Sequence, residues 1–152
     1  MDARYQVVMS QLMLPHQANP AGNVHGGEIM KFMDNAAFAC AMKYAHCNCV
    51  TARVDELVFH LPIFVGALVT CKATIAYVGN TSMDVYVEVF SEDMTSHNGP
   101  EKALCAHFTM VAMGRSGKAQ KVPPYQPETE YEKVLYAEAE AQTLARKQKN
   151  QE

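Results

Sequence analysis

The order of elements in this sequence predicts an α+β fold: an antiparallel sheet wrapped around one long central helix, with a second helix at the C-terminus. Three observations predict it. From Gly26 to about Tyr44, apolar residues such as Ile29, Phe32, Met33, Ala36, Ala37 and Cys40 recur at three- and four-residue steps. Such a helix is apolar most of the way round and belongs in the interior. Four later segments are rich in Val, Ile, Thr, Phe and Tyr and are separated by turn formers. A single buried helix is best covered by a curved sheet, whose edges and outer face then need cover of their own. Pairing with a second copy is therefore expected.

Residues Tyr5 to Leu14 alternate weakly and read as a first strand. Pro15 to Val24 is a loop, with Asn19-Pro20, Gly22 and Asn23 as turn formers. After the central helix, Val50 to Phe59, Leu68 to Val78, Ser82 to Phe90 and Lys102 to Met113 read as strands. The short link Gly79-Asn80-Thr81 suits a hairpin. Pro123, Pro124 and Pro127 stop the sheet. A helix from about Pro127 to Lys149 follows, with Glu128, Glu130 and Glu132 early and Arg146, Lys147 and Lys149 late, in line with the helix dipole. One domain over 1–126 with a helical tail over 127–152 in the same unit is expected.

Composition excludes several classes. The 152 residues are 49% hydrophobic and 19% charged, which argues against disorder. With 13 basic and 16 acidic residues and no basic face, a nucleic-acid partner is not expected. Phe59 to Cys71, free of acids, lysine and arginine, is too short to span a membrane. No apolar leader follows Asp2 and Arg4, so a cytoplasmic location with five free, mostly buried thiols is expected. His46, Cys47 and Cys49 lack the gap and the second ligand pair of a zinc site.

Asp34 stands out within the apolar helix, where a carboxylate is costly unless it is paired or faces a wet cavity. It shares a helical stripe with Gly27, Lys31 and Phe38. Either it is solvated on the helix's one polar strip, or it is paired to Lys31, or it serves chemistry. Gly26-Gly27 at the helix start either loosens a loop or lets a ligand reach free N–H groups at a positive helix end.

Taken together, Asn19-Pro-Ala-Gly22-Asn-Val-His25-Gly26-Gly27 and Asp34 resemble the signature of hotdog-fold acyl-CoA thioesterases. The resemblance continues through Val50-Thr51-Ala-Arg53-Val-Asp55, Phe59, Pro62-Ile63, Gly66, Gly79-Asn80-Thr81-Ser82-Met83 and Lys121-Val122-Pro123-Pro124, covering about Leu12 to Glu132. It implies hydrolysis of acyl-CoA at a site on a dimer interface. Asn19 of one unit would work beside Asp34 of its partner, with the Gly27 N–H on the thioester oxygen. Asp34 would be base or nucleophile, and Asn19 would orient water or thioester. His25, Gly26, Thr51 and the Gly79, Asn80, Thr81, Ser82 turn would line the coenzyme A groove. Dimers would assemble as trimers of dimers, and neither metal nor organic cofactor is required. Ala67 stands where the family often has aspartate, Arg53 where a small residue is usual, and Asn80 where a basic residue is common. Arg53, or Lys118 and Lys121, would then contact the phosphates.

Two other readings compete. A non-catalytic acyl-CoA sensor would normally carry an output domain, and no residues remain for one. An enoyl-thioester hydratase would lean on His25 and tolerate loss of Asp34.

Overall fold

The computed structural model describes residues 3–151. Strand β1 (Gln6–Leu12) leads through a short 3-10 turn, Pro15–Gln17, to helix α1 (Gly26–Ala45). Strands β2 (Asn48–Phe59), β3 (Leu68–Val78), β4 (Ser82–Glu92) and β5 (Glu101–Met113) follow, and helix α2 (Glu130–Gln151) closes the chain. The strands form one sheet in the order β1-β3-β4-β5-β2, with every neighbouring pair antiparallel. β1 and β2 are its two edges.

Alternation along the central strands decides which side the helix takes. Met83, Val85, Val87 and Val89 of β4, and Leu104, Phe108, Met110 and Ala112 of β5, are fully buried on the inner face. Against them lie Ile29, Phe32, Met33, Ala36, Ala37 and Cys40 of α1. Small residues in the middle of α1 let the sheet approach the helix closely. Truncating Phe108, at 0% exposure, to alanine would cost roughly 3–5 kcal/mol.

The outer face of the sheet is covered by α2, which buries Leu135 and Ala139 against Ala76, Tyr77 and Tyr86. Its start carries a reciprocal cap. Glu132 N–H donates to Thr129 Oγ1 at 3.0 Å, and Thr129 N–H donates to Glu132 Oε1 at 3.1 Å. The same buried carboxylate accepts from the N–H of Arg4 (2.9 Å) and of Glu128 (2.9 Å), and from the Arg4 guanidinium at 3.2 Å. α2 is thus pinned to the segment that precedes β1.

Strand β2 is irregular at two points, and both decide which face its side chains take. The register against β5 slips between Thr51 and Arg53 and again between Asp55 and Val58, where Glu56 adopts a φ of 48°. Each slip inserts an extra residue and reverses the face of the next side chain. Thr51, opposite Met110, faces inward; Arg53, opposite Thr109, faces out; Phe59, opposite Leu104, faces in again.

Candidate active site

The loop before α1 is built around Asn19. Its Oδ1 accepts from the N–H of Ala21 at 2.9 Å and of Asn23 at 3.1 Å, and its own N–H donates to the Asn23 carbonyl at 2.6 Å. Gly22, at a φ of 91°, supplies the left-handed turn that this closure needs. Val24 N–H donates to the Ile63 carbonyl at 2.8 Å, so the loop is stitched to the segment after β2. Two backbone donors on Oδ1 fix the amide's orientation, and Nδ2 has no partner among the described residues.

His25 caps α1 without a side-chain hydrogen bond; its N–H donates to the Gln17 carbonyl at 2.8 Å and its carbonyl receives Glu28 N–H at 3.0 Å. Gly26 and Gly27 N–H have no acceptor among the described residues, as expected at a helix start. The two glycines face different surroundings. A Cβ on Gly26 would lie 3.6 Å from the Phe59 ring, whereas nothing lies within 4 Å of one on Gly27. Phe59 therefore shields one side of the helix end and leaves the other open.

Two turns along, Asp34 is half-buried and accepts the Thr51 hydroxyl at 2.6 Å. That is the length of a charge-assisted bond. No Lys31–Asp34 ion pair forms among the described residues. Thr51 also reaches Met110 Sδ at 3.4 Å. The carboxylate is thus held by edge strand β2 through one oxygen, and its second oxygen has no partner among the described residues. Within the chain no hydrogen bond links Asn19 to Asp34 or Thr51, again among the described residues.

The pattern of the thioesterase superfamily matches residues 21–96, half of the chain. Protein VdlD of Helicobacter pylori is 41% identical over 129 residues, 85% of this chain and 73% of that protein. This chain belongs to the thioesterase superfamily. The mouse cytosolic acyl coenzyme A thioester hydrolase is 35% identical over 151 residues; the match covers 95% of this chain and 40% of that longer protein. An apo-hexameric acyl-CoA thioesterase superposes with a TM-score of 0.89 at 34% identity, covering 97% of this chain and 94% of its own. The Staphylococcus aureus acyl-CoA hydrolase, solved with butyryl coenzyme A and coenzyme A, gives 0.87 at 30% identity, over 96% and 88%. The fold is the hotdog fold.

In this thioesterase-superfamily chain the remaining expected site residues fall into two groups. Ser82 of β4 pairs with Val111 of β5, which pairs with Val50 of β2, so the Gly79, Asn80, Thr81, Ser82 turn sits at the same end of the sheet as Thr51. Lys121 is exposed beside that turn, because Val122 N–H donates to the Asn80 carbonyl at 2.9 Å. Lys118 lies in the neighbouring turn, its carbonyl accepting Gly114 N–H at 2.8 Å. Arg53 stands apart. Adjacent parity with Thr51 suggests a shared face, but the intervening slip turns Arg53 to the outer face, where Nε meets Asp55 Oδ1 at 2.6 Å. Among the described residues, no helix is long and apolar enough to cross a membrane.

The family resemblance sets Thr51 among the expected groove residues and gives no sign of its direct bond to Asp34. Two further residues escape it. His107 Nδ1 lies 2.6 Å from Asp84 Oδ1 under α2, and alternation within β4 and β5 could have placed both outward together. Glu132 could have been found from Thr129-Glu130-Tyr131-Glu132, a Thr-x-x-Glu cap signature.

Proposed function

We propose that this chain is an acyl-CoA thioesterase, cleaving fatty or short-chain acyl-CoA to the free acid and coenzyme A. The observation that carries the residue assignment is a spacing. The S. aureus acyl-CoA hydrolase has been solved with an asparagine, an aspartate and a threonine each replaced by alanine. Those positions are 15 and 17 residues apart, as Asn19, Asp34 and Thr51 are here.

The chemistry follows from what each group can offer. The thioester carbonyl oxygen lies on the open side of the α1 N-terminus, where Gly27 N–H, beside Gly26 and His25, stabilises the charge that develops on it. One such donor is worth about 100–1000-fold in rate. Thr51 holds one oxygen of Asp34, and the other faces the reaction. It either takes a proton from water as the water oxygen bonds to the carbonyl carbon, or bonds to that carbon itself, giving an anhydride that water then opens. In both routes the C–S bond breaks with its electron pair on sulfur, which takes a proton to leave as coenzyme A. Asn19 Nδ2 donates to the water or the thioester. Neither metal nor organic cofactor enters the scheme.

Asn19 and Asp34 act from two copies in this reading. The absence of a bond between them among the described residues supports that, and so does the open edge of β2, where Val50 and Val58 are exposed. A trimer of such dimers is the assembly we favour, since related thioesterase structures are described as hexameric. Thr51, the 79–82 turn and Lys121 then line the coenzyme A groove. A cytoplasmic location belongs to the same reading, supported by the mouse relative's name.

The test is hydrolysis across an acyl-CoA chain-length series, followed by thioester absorbance because five cysteines would react with thiol reagents. Turnover lost in Asp34→Asn, with coenzyme A still bound, upholds the reading. Binding without turnover in the native chain overturns it in favour of a sensor, and undiminished turnover in Asp34→Asn shifts the chemistry to His25.

A further inference from the structure

Gln17 lies in the turn before the Asn19 loop and is buried, at 5% exposure; the hydrolytic scheme gives it no task. It is bonded three ways. Oε1 accepts Leu14 N–H at 2.8 Å, Nε2 donates to Glu28 Oε2 at 3.3 Å, and the carbonyl accepts His25 N–H at 2.8 Å. One residue thus ties the end of β1 to the first turn of α1.

The two bonds to α1 replace a familiar one. His25 is the N-cap of α1, which makes Glu28 the third residue of the helix. A glutamate there ordinarily folds back onto the N–H of the N-cap residue. Gln17 intercepts both partners of that bond: its carbonyl takes the His25 N–H, and its amide takes the Glu28 carboxylate.

What lies between the intercepted partners gives this its consequence. Gly26 and Gly27 carry no side chain, and their N–H groups have no acceptor among the described residues. Free N–H groups at a helix start attract anions. Glu28 is half-buried and is the one acid in the first turn. A Cβ on Gly27 would have nothing within 4 Å, so no neighbouring side chain fills the approach to its N–H. An unheld Glu28 carboxylate would compete there with the thioester oxygen.

We propose that Gln17 is a positioning residue of the hydrolytic site, one that holds the Glu28 carboxylate off the Gly26 and Gly27 N–H groups and keeps them open to the substrate. This rests on the hydrolytic reading above. The released carboxylate opposes the charged oxygen of the transition state most, so the loss falls chiefly in kcat.

Steady-state kinetics on the acyl-CoA that the native chain turns over fastest provide the test. Gln17→Met keeps the length of the side chain and removes both amide ends. It is expected to lower kcat about 10–100-fold, part of what an oxyanion donor supplies. Gln17→Met/Glu28→Ala, which removes the competing carboxylate as well, is expected to recover most of that loss. A merely structural role predicts no recovery, since the second substitution restores no contact. Gln17→Asn, which shortens the reach by one methylene, takes the place of Gln17→Met in both comparisons if that chain does not fold. Unchanged kcat in the single variant, a loss confined to KM, or no recovery in the double variant overturns the proposal. Crystal structures of the native and single-variant chains need no turnover. They are expected to show the carboxylate moved onto the Gly26 and Gly27 N–H groups in the variant, and a carboxylate that stays away overturns the proposal. A native chain that hydrolyses no acyl-CoA overturns the hydrolytic reading itself, so the two failures are distinct.

Discussion

The Thr51 hydroxyl reaches Asp34 at 2.6 Å, fastening an edge strand to the carboxylate in the middle of the central helix. Two elements consecutive in the chain thereby set the angle of the proposed reactive group. Thr51→Ala should lower kcat by roughly 10–100-fold, the value of one hydrogen bond to a charged group. Thr51→Ser, which keeps the donor, should recover most of it. Steady-state kinetics that put the whole loss of Thr51→Ala in KM would mark Thr51 as a groove residue instead.

The reading that Asn19 and Asp34 act from two copies leads to a second expectation. Asn19→Ala and Asp34→Ala homomers should each be nearly inactive. Subunits mixed by unfolding and refolding should regain activity, because a mixed dimer assembles one intact site. If heterodimers form by native mass spectrometry and hydrolysis stays at the single-variant level, the two residues do not share a site across copies.

His107 gives a pH dependence with a defined sign. Burial pulls its imidazolium down, but the Asp84 hydrogen bond and charge, with Glu138 and Asp55, outweigh that and hold it above the ordinary 6.5. Tyr86 stacks on the ring at 4.9 Å, and Arg146 sits on Asp55 nearby. The folded chain favours the protonated form, so the stabilisation is complete below 6.5 and fades as pH rises through the higher folded value. Thermal unfolding from pH 6 to 9 should show a falling midpoint in the native chain. In His107→Asn the midpoint should start lower and lack that component of the fall.

Glu132 acts in the opposite direction. Burial alone would raise its carboxyl, yet the N–H groups of Arg4, Glu128 and Thr129 and the Arg4 guanidinium hold it down to about 2 from 4.5. Its contribution is full above 4.5 and is lost as pH falls from there toward 2. Glu132→Gln should cost about 2–3 kcal/mol at neutral pH by removing the charge that these donors meet. Urea unfolding should find the deficit largest near pH 7 and closing by pH 3.

Much of the fold is legible in the residues. The small, apolar stripe from Ile29 to Ala41 can bury itself only under a sheet, and β3 lies where its Val and Ile content put it. β2 and β5 begin a residue or two earlier than expected, because the polar Asn48 and Glu101 sit in ladder positions that strand preference does not reward. Asp34 is visible because a carboxylate in such a helix needs a reason. Thr51 as its partner is not, since a contact 17 residues away depends on how the edge strand lies along the helix. Arg53 misleads for a related reason: alternation assumes an unbroken pleat, and a one-residue insertion is invisible to it.

The two slips in β2 also govern how this strand can change. Because they cancel, the segment from Arg53 to Asp55 is out of phase with the ends that carry Thr51 and Phe59, so one edge strand serves two independent surfaces. Loss of Ala52 would leave Thr51 opposite Met110 and Arg53 opposite Thr109 and restore unbroken alternation, so neither side chain would change face. Drawing Ala52 into the ladder opposite Thr109 would instead set Arg53 opposite Phe108 and turn its guanidinium to the inner face, so the slip, rather than the strand's length, decides which face of the sheet Arg53 serves.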